Sequence, residues 1–210
     1  MPPPEFGAAF RESLRALFLW RRDVRRFRPD PVPEARIAAL LELAGTAPSV
    51  GLSQPWRFVR VESPGRRAAI RALFARSNAE ALAGQAPERA ALYARLKLEG
   101  LDRAPCQLAL FCLPDPEQGH GLGRRTMPET LAYSAVMALH TLWLAARAEG
   151  LGLGWVSILE PEAVTAALDV PAAWRFIGYA CLGWPEAESD RPELEAEGWE
   201  RRQAVVCLRR

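Results

Sequence analysis

The 210-residue sequence predicts an α+β domain, and three observations carry that prediction. Short apolar or alternating runs with strand character occur at 56–62, 106–112, 155–159 and 175–185. Longer stretches with apolar residues three or four apart, the pattern of a helix with one buried face, occupy 7–20, 33–44 and 128–149. The two kinds follow one another without the strand–helix–strand alternation of a doubly wound parallel sheet. No internal repeat or low-complexity linker divides the chain, so residues 1–210 are expected to form a single domain.

The elements follow in order. Phe10, Leu14, Leu17 and Phe18 form one stripe on the first helix, 7–20. The basic octet "RRDVRRFR" (21–28) comes next, then "PDPVP", whose three prolines impose an extended link. Pro33 suits the first position of a second helix, whose face is Ile37, Leu40, Leu41 and Ala44, and Gly45 ends it. "TAPSVGLSQP" is a loop of small residues and turn formers before the strand 56–62. Residues 66–76 read as helix, and 77–103 as an Ala-rich helical excursion that makes a candidate lid. "CQLALFC" (106–112) is expected as a buried strand. Pro128 opens the longest helix, to Glu149, and "EGLGLG" breaks it before a strand at 155–159 and a short helix at 161–168. The last firm strand is 175–185, and the charged tail 186–210 ends in "AVVCLRR", a candidate strand.

Composition narrows the function classes. Lys and Arg number 27 against 25 acids, a net charge of +2, without the broad basic excess of a nucleic-acid binder. Cys106, Cys112, Cys181 and Cys207 have no metal-ligand spacing, and only His120 and His140 are available beside them, so no metal site is expected. The longest uncharged run, 130–146, holds Tyr133, Ser134, His140 and Thr141 and suits a buried helix better than a membrane span. The N-terminal segment lacks a secretory h-region, and a cytoplasmic protein is expected.

Three segments could carry chemistry. In the octet, Arg21 and Arg25 share a side whether the chain is helical or extended, so two guanidinium forks can converge on one phosphate. A solvated basic rim at a helix end is the other reading. Asp23 between them is expected to stay ionised beside its cations, and an ionised acid there could orient a donor or handle a proton. In "APSVGLSQPW" (47–56), small residues allow close backbone approach to a flat ligand, and Ser49, Ser53 and Gln54 supply polar partners. "EGLGLGWVS" (149–157) leaves a helix and enters a strand, the reverse of a dinucleotide-binding glycine turn. Ser157, in an apolar strand, needs a backbone or ligand partner.

Taken in order, "RRDVRRFRPDPVP", "APSVGLSQPWRFV" and "LWLAARAEGLGLGWVS" resemble the nitroreductase fold family of FMN proteins. The likeness runs from about residue 6 to the tail "GWPEAESDRPELEAEGWERR". Asp23 stands where ordinary members carry Ser, Thr or His, and Leu52 where they often carry Asn. These departures resemble the branch of the family that consumes its flavin. The resemblance implies a central, mostly antiparallel sheet flanked by helices, in a homodimer with FMN at the subunit interface. It implies that the tail embraces the partner and that 77–103 closes over the site. Reduced FMN would be substrate and O2 co-substrate, yielding 5,6-dimethylbenzimidazole, the lower ligand of cobalamin, and erythrose 4-phosphate. NAD(P)H would act only indirectly, through a separate flavin reductase.

Carried over, Arg21, Arg22 and Arg25 would hold the phosphate and ribityl hydroxyls, with backbone contact from Val24. Ser49 and Gly154 would line the flavin, Lys97 would touch flavin or lid, and Arg201 would add a phosphate contact. Asp23 and Ser157 would be the catalytic pair, with Ser157 bonded near flavin N5. The rival expectations are a general NAD(P)H-dependent FMN nitro or quinone reductase and a non-catalytic flavin-binding protein.

Overall fold

A computed structural model describes residues 3–95 and 99–210; Lys97 lies outside them. Among the described residues, four strands build the sheet: β1 (Trp56–Arg60), β2 (Cys106–Cys112), β3 (Gly152–Val156) and β4 (Arg175–Gly183). Their order is β1-β2-β4-β3, and every neighbouring pair is antiparallel. Trp56 faces Cys112 across β1–β2, Gln107 faces Cys181 across β2–β4, and Trp155 faces Ala180 across β3–β4.

Among the described residues, eight α-helices accompany the sheet: α1 (Ala8–Trp20), α2 (Glu34–Ala44), α3 (Pro64–Ala83), α4 (Pro87–Arg95), α5 (Gly100–Arg103), α6 (Thr130–Ala148), α7 (Pro161–Leu168) and α8 (Glu193–Ala196). The strand period of two assigns β2 to two cores at once. Cys106, Leu108, Leu110 and Cys112 join Leu40, Leu139 and Leu142 of α2 and α6 on one face. Ala109 and Phe111 join Ile70 and Val164 of α3 and α7 on the other, with Tyr179 and Cys181 of β4. A strand covered on both faces reads as an unbroken apolar run, which is why "CQLALFC" was legible. Its one polar residue, Gln107, is satisfied: Tyr179 Oη donates to its Oε1 at 2.8 Å and its amide donates to the Leu101 carbonyl at 3.0 Å. Burial lifts the Cys106 thiol to about 11, so it packs as an inert small hydrophobe.

Several boundaries differ from expectation. The third strand is 152–156 rather than 155–159, so Gly152 and Gly154 of "GLGLG" belong to it, and Ser157 lies exposed just past its end. The helix expected at 66–76 runs as α3 from Pro64 to Ala83, started by Ser63, whose Oγ accepts from the Arg66 N–H. The candidate lid 77–103 thus holds the end of α3, then α4 and α5. "AVVCLRR" forms no strand: Val205 and Val206 are 95% and 81% exposed. An apolar segment of strand character forms a strand only where it pairs with another, and in this chain the tail pairs with neither edge of the sheet. Helix α1 likewise buries no residue; Phe10 and Phe18 remain about half exposed.

Candidate active site

The octet is extended, and it attaches to the free edge of the sheet. Asp23 forms a parallel bridge with Leu153 of β3, and the Val24 N–H donates to the Leu153 carbonyl at 3.1 Å. The chain then crosses β3 so closely that a methyl group on Gly154 would lie 2.1 Å from the Val24 carbonyl oxygen. At Gly152 it would meet the Val24 side chain at 2.6 Å. Glycine is required there because the crossing segment occupies the space of a side chain. Farther on, Phe27 bridges Pro185 and is fully buried. One tryptophan holds the near end: the Trp143 indole donates to the Arg22 carbonyl at 3.0 Å, and the Arg21 guanidinium lies 4.8 Å over the Trp143 ring.

This fixed backbone lines two adjoining cavities. One, of about 260 Å³, is walled by Arg21, Arg22, Asp23 and Arg25 with Glu193, Leu194 and Arg202. The other, of about 180 Å³, shares Arg22, Asp23, Arg25 and Glu193 and adds Arg26, Ser189 and Arg191. Arg21 and Arg25 therefore share a cavity wall, as an extended chain requires. Arg25 keeps only 9% of its side-chain exposure. Its Nε and the Arg22 Nη2 are buried without a hydrogen-bond partner. Burial depresses the Arg22 pKa, with the neighbouring Arg202 and Arg21 charges acting in the same direction. Unpaired buried guanidinium donors crowded together are a strong reason to expect an anion between them.

Asp23 sits among these donors. Its Oδ1 accepts from the Trp155 N–H at 2.9 Å, and its Oδ2 lies 3.8 Å from Arg25 Nε. The neighbouring cations are not the largest influence on its proton. Burial is the largest influence and lifts the carboxyl above its ordinary value, although 37% of the side chain meets solvent. The Trp155 hydrogen bond and the Arg25 and Arg21 charges pull it down, and Glu193 pushes it further up. A carboxyl held in such opposition can both accept and return a proton.

The other sequence-derived residues are spread over both edges of the sheet and the tail. Ser157 follows Trp155 by two positions, so the strand rise puts it about 7 Å beyond the backbone that binds Asp23. Val24 spends its N–H on β3, and Gly154 is buried beneath it. Ser49 accepts from the Gln54 N–H at 3.1 Å, in a loop that enters β1 at the opposite edge of the sheet. Arg201 is exposed and lines neither cavity, whereas Arg202 lines the larger. Arg202 and Glu193 are the residues that sequence reasoning missed. The doublet in "GWERR" pointed to the tail, but not to which arginine faces inward.

The fold and this cleft can be set beside known proteins. The family model described as the nitroreductase family matches residues 18–184. The chain belongs to the nitroreductase family. It is 60% identical over 207 residues to the 5,6-dimethylbenzimidazole synthase of Rhodospirillum rubrum, covering 99% of this chain and 98% of that protein. With the protein of the same description from Rhodobacter capsulatus it shares 51% identity, covering 98% and 99%. Among solved structures it is similar to oxidised iodotyrosine deiodinase bound to FMN and 3-iodo-L-tyrosine, with a TM-score of 0.76 at 23% identity over 94% of this chain and 99% of that one. The FMN-dependent nitroreductase NfnB from Mycobacterium smegmatis gives 0.65 at 23% identity, covering 93% and 95%. These two share the fold.

Among the described residues, no helix is long and apolar enough to cross a membrane, and no cluster of three or more His, Cys, Asp and Glu side chains is gathered for a metal ion.

Proposed function

We propose that the protein fragments reduced FMN with O2 to give 5,6-dimethylbenzimidazole, leaving erythrose 4-phosphate, in the cytoplasm. The observation that carries this reading is a carboxylate, Asp23, fixed by the Trp155 N–H inside a cleft of unpaired buried arginine donors. The reading is supported by near-full-length identity of 60% and 51% to two proteins named for that synthesis.

The residues fit an FMN phosphate. Arg22 and Arg25 offer unpaired donors, Arg21 and Arg202 complete the cationic wall, and together they clamp a dianion as forks rather than point charges. The flavin supplies the electrons that activate O2, and its reductant comes from a separate flavin reductase. Asp23 then moves protons at the ribityl arm adjoining the clamped phosphate, and Ser157 holds the ring edge by a hydrogen bond near N5. Of the candidate lid 77–103, the described stretch 84–95 would close over the site and exclude water, since Gly100 and Leu101 are buried in the fold. Arg25→Ala should weaken FMN binding roughly 10–100-fold, the worth of a charged hydrogen bond, and leave riboflavin binding nearly unchanged; isothermal titration reads both.

A second copy of the chain completes the site. The clamp lies at the β3 edge and the Ser49 loop beyond the β1 edge. Helix α6 touches both, through Ser134 at Val50 and Trp143 at Arg22, nine residues or about 14 Å apart along its axis. Ser49 therefore approaches the flavin from the partner. The half-exposed stripe of α1 and the bare apolar tail are the surfaces available to bury in such an isologous dimer. Sedimentation should give twice the chain mass, and a monomer retaining full FMN affinity would exclude the shared site.

The deciding assay is aerobic incubation with chemically reduced FMN. A benzimidazole identified by mass spectrometry supports the reading, and simple return of oxidised FMN overturns it.

A further inference from the structure

Glu193 contributes an anion to a cleft that is otherwise built to receive one. It comes from α8, a four-residue helix in the tail that buries no side chain. Its Oε1 lies 3.5 Å from Arg26 Nη2, and its Oε2 lies 4.0 Å from Arg25 Nε. Arg25 Nε thus faces two carboxylates, Asp23 at 3.8 Å and Glu193 at 4.0 Å, and is hydrogen-bonded to neither. Glu193 also walls both cavities, as Arg22, Asp23 and Arg25 do, so it is the one residue of the tail common to the two. An ion pair with no hydrogen bond at a buried guanidinium is a loose arrangement that a better acceptor will replace.

We propose that Glu193 is an internal stand-in for the flavin phosphate, which must be displaced when a phosphorylated flavin enters and thereby sets how strongly the clamp discriminates FMN from riboflavin. The inference rests on reading the cleft as the phosphate site. The occupant that replaces Glu193 is a dianion, with more charge and more acceptor oxygens than a carboxylate, so the exchange favours the phosphate and never a neutral ribityl end. Glu193 has little to lose by moving, because its helix is short and its backbone is held only by local turns. Beside Asp23 it adds a negative charge that helps lift the Asp23 pKa, against Arg21 and Arg25. Its departure would ease the proton off Asp23 while the incoming phosphate presses the other way.

The opposite view, that Glu193 merely braces Arg25 in place, predicts the reverse sign for the same variant, which makes the test direct. Binding of FMN and of riboflavin to full-length wild type, Glu193→Gln and Glu193→Asp would be measured by quenching of flavin fluorescence at low salt. The proposal expects Glu193→Gln to tighten FMN about tenfold, with riboflavin moved less than twofold, because only a charge repelling phosphate has been removed. Glu193→Asp keeps the charge and stays near wild type. If Glu193→Gln weakens FMN, or leaves the FMN-to-riboflavin ratio unchanged, the stand-in role is overturned while the clamp stands. If wild type itself fails to prefer FMN over riboflavin, the phosphate reading of the cleft falls and this inference falls with it.

Discussion

Asp23→Asn is expected to bind FMN and form about 10²–10⁴-fold less benzimidazole per turnover than the wild type, the range for losing a positioned proton-transfer group. The amide preserves the structural duty of the side chain, because its oxygen can still accept from the Trp155 N–H. It removes only the ability to take up and return a proton. Mass spectrometry of product after a single aerobic turnover, with bound flavin quantified beforehand, separates the two effects. Product formed at the wild-type rate would exclude Asp23 from the chemistry.

The same variant carries a stability prediction of opposite sense. The folded protein holds the Asp23 proton more tightly than an unfolded chain, whose carboxyl has the ordinary value of 3.8. The native state therefore binds more protons, and ionisation of Asp23 destabilises the fold increasingly as pH rises from that value through the folded one. Without flavin, Asp23→Asn should melt no lower than wild type at neutral pH, and any advantage should vanish toward pH 4. A loss of melting temperature that grows with pH would contradict the sign. Stability given up for a burdened acid is the pattern expected at a working site.

Gly154→Ala is the second large effect. Its methyl group would meet the Val24 carbonyl oxygen at 2.1 Å, well inside contact distance. Val24 cannot retreat freely, since its N–H is bonded to Leu153 and the preceding Arg22 carbonyl receives the Trp143 indole. Overpacking of this kind costs about 1–3 kcal/mol, or ~2–4 °C in melting temperature for each kcal/mol in a chain of this size. The strain falls on the segment that carries the clamp, so FMN affinity should fall together with stability. Gly65→Ala is the control. Its methyl group would find only the Ser63 hydroxyl oxygen at 3.7 Å, within helix α3, where alanine is favoured by up to about 1 kcal/mol. Equal melting temperatures for Gly154→Ala and wild type would show that the crossing segment is free to move.

Individual residues show how far the sequence could be read. "CQLALFC" announced a buried strand because both of its faces meet apolar layers, and periodicity reports burial. "GLGLG" misled, since glycine ends helices and also admits a crossing chain, and only the position of Val24 distinguishes the two uses. The pairing of Asp23 with its neighbouring arginines was visible as adjacency. The balance of forces on its proton was not, because it depends on burial in the folded chain and on groups 130 and more positions away, the Trp155 N–H that binds it and the Glu193 charge. Lys97 lies outside the described residues, and its proposed contact with flavin or lid rests on the sequence alone.

By itself, then, the chain determined the α+β class, the buried strands, the family and the cluster of arginines around one acid, all of which are local patterns of charge, spacing and apolarity. Tertiary structure decided which arginines are left with unpaired donors, that Arg202 rather than Arg201 faces the cleft, and that Ser49 is set at the far edge of the sheet. It also raised the proton affinity of Asp23. These are properties of distance and solvent exclusion between remote segments, and they exist only once the chain has closed around them.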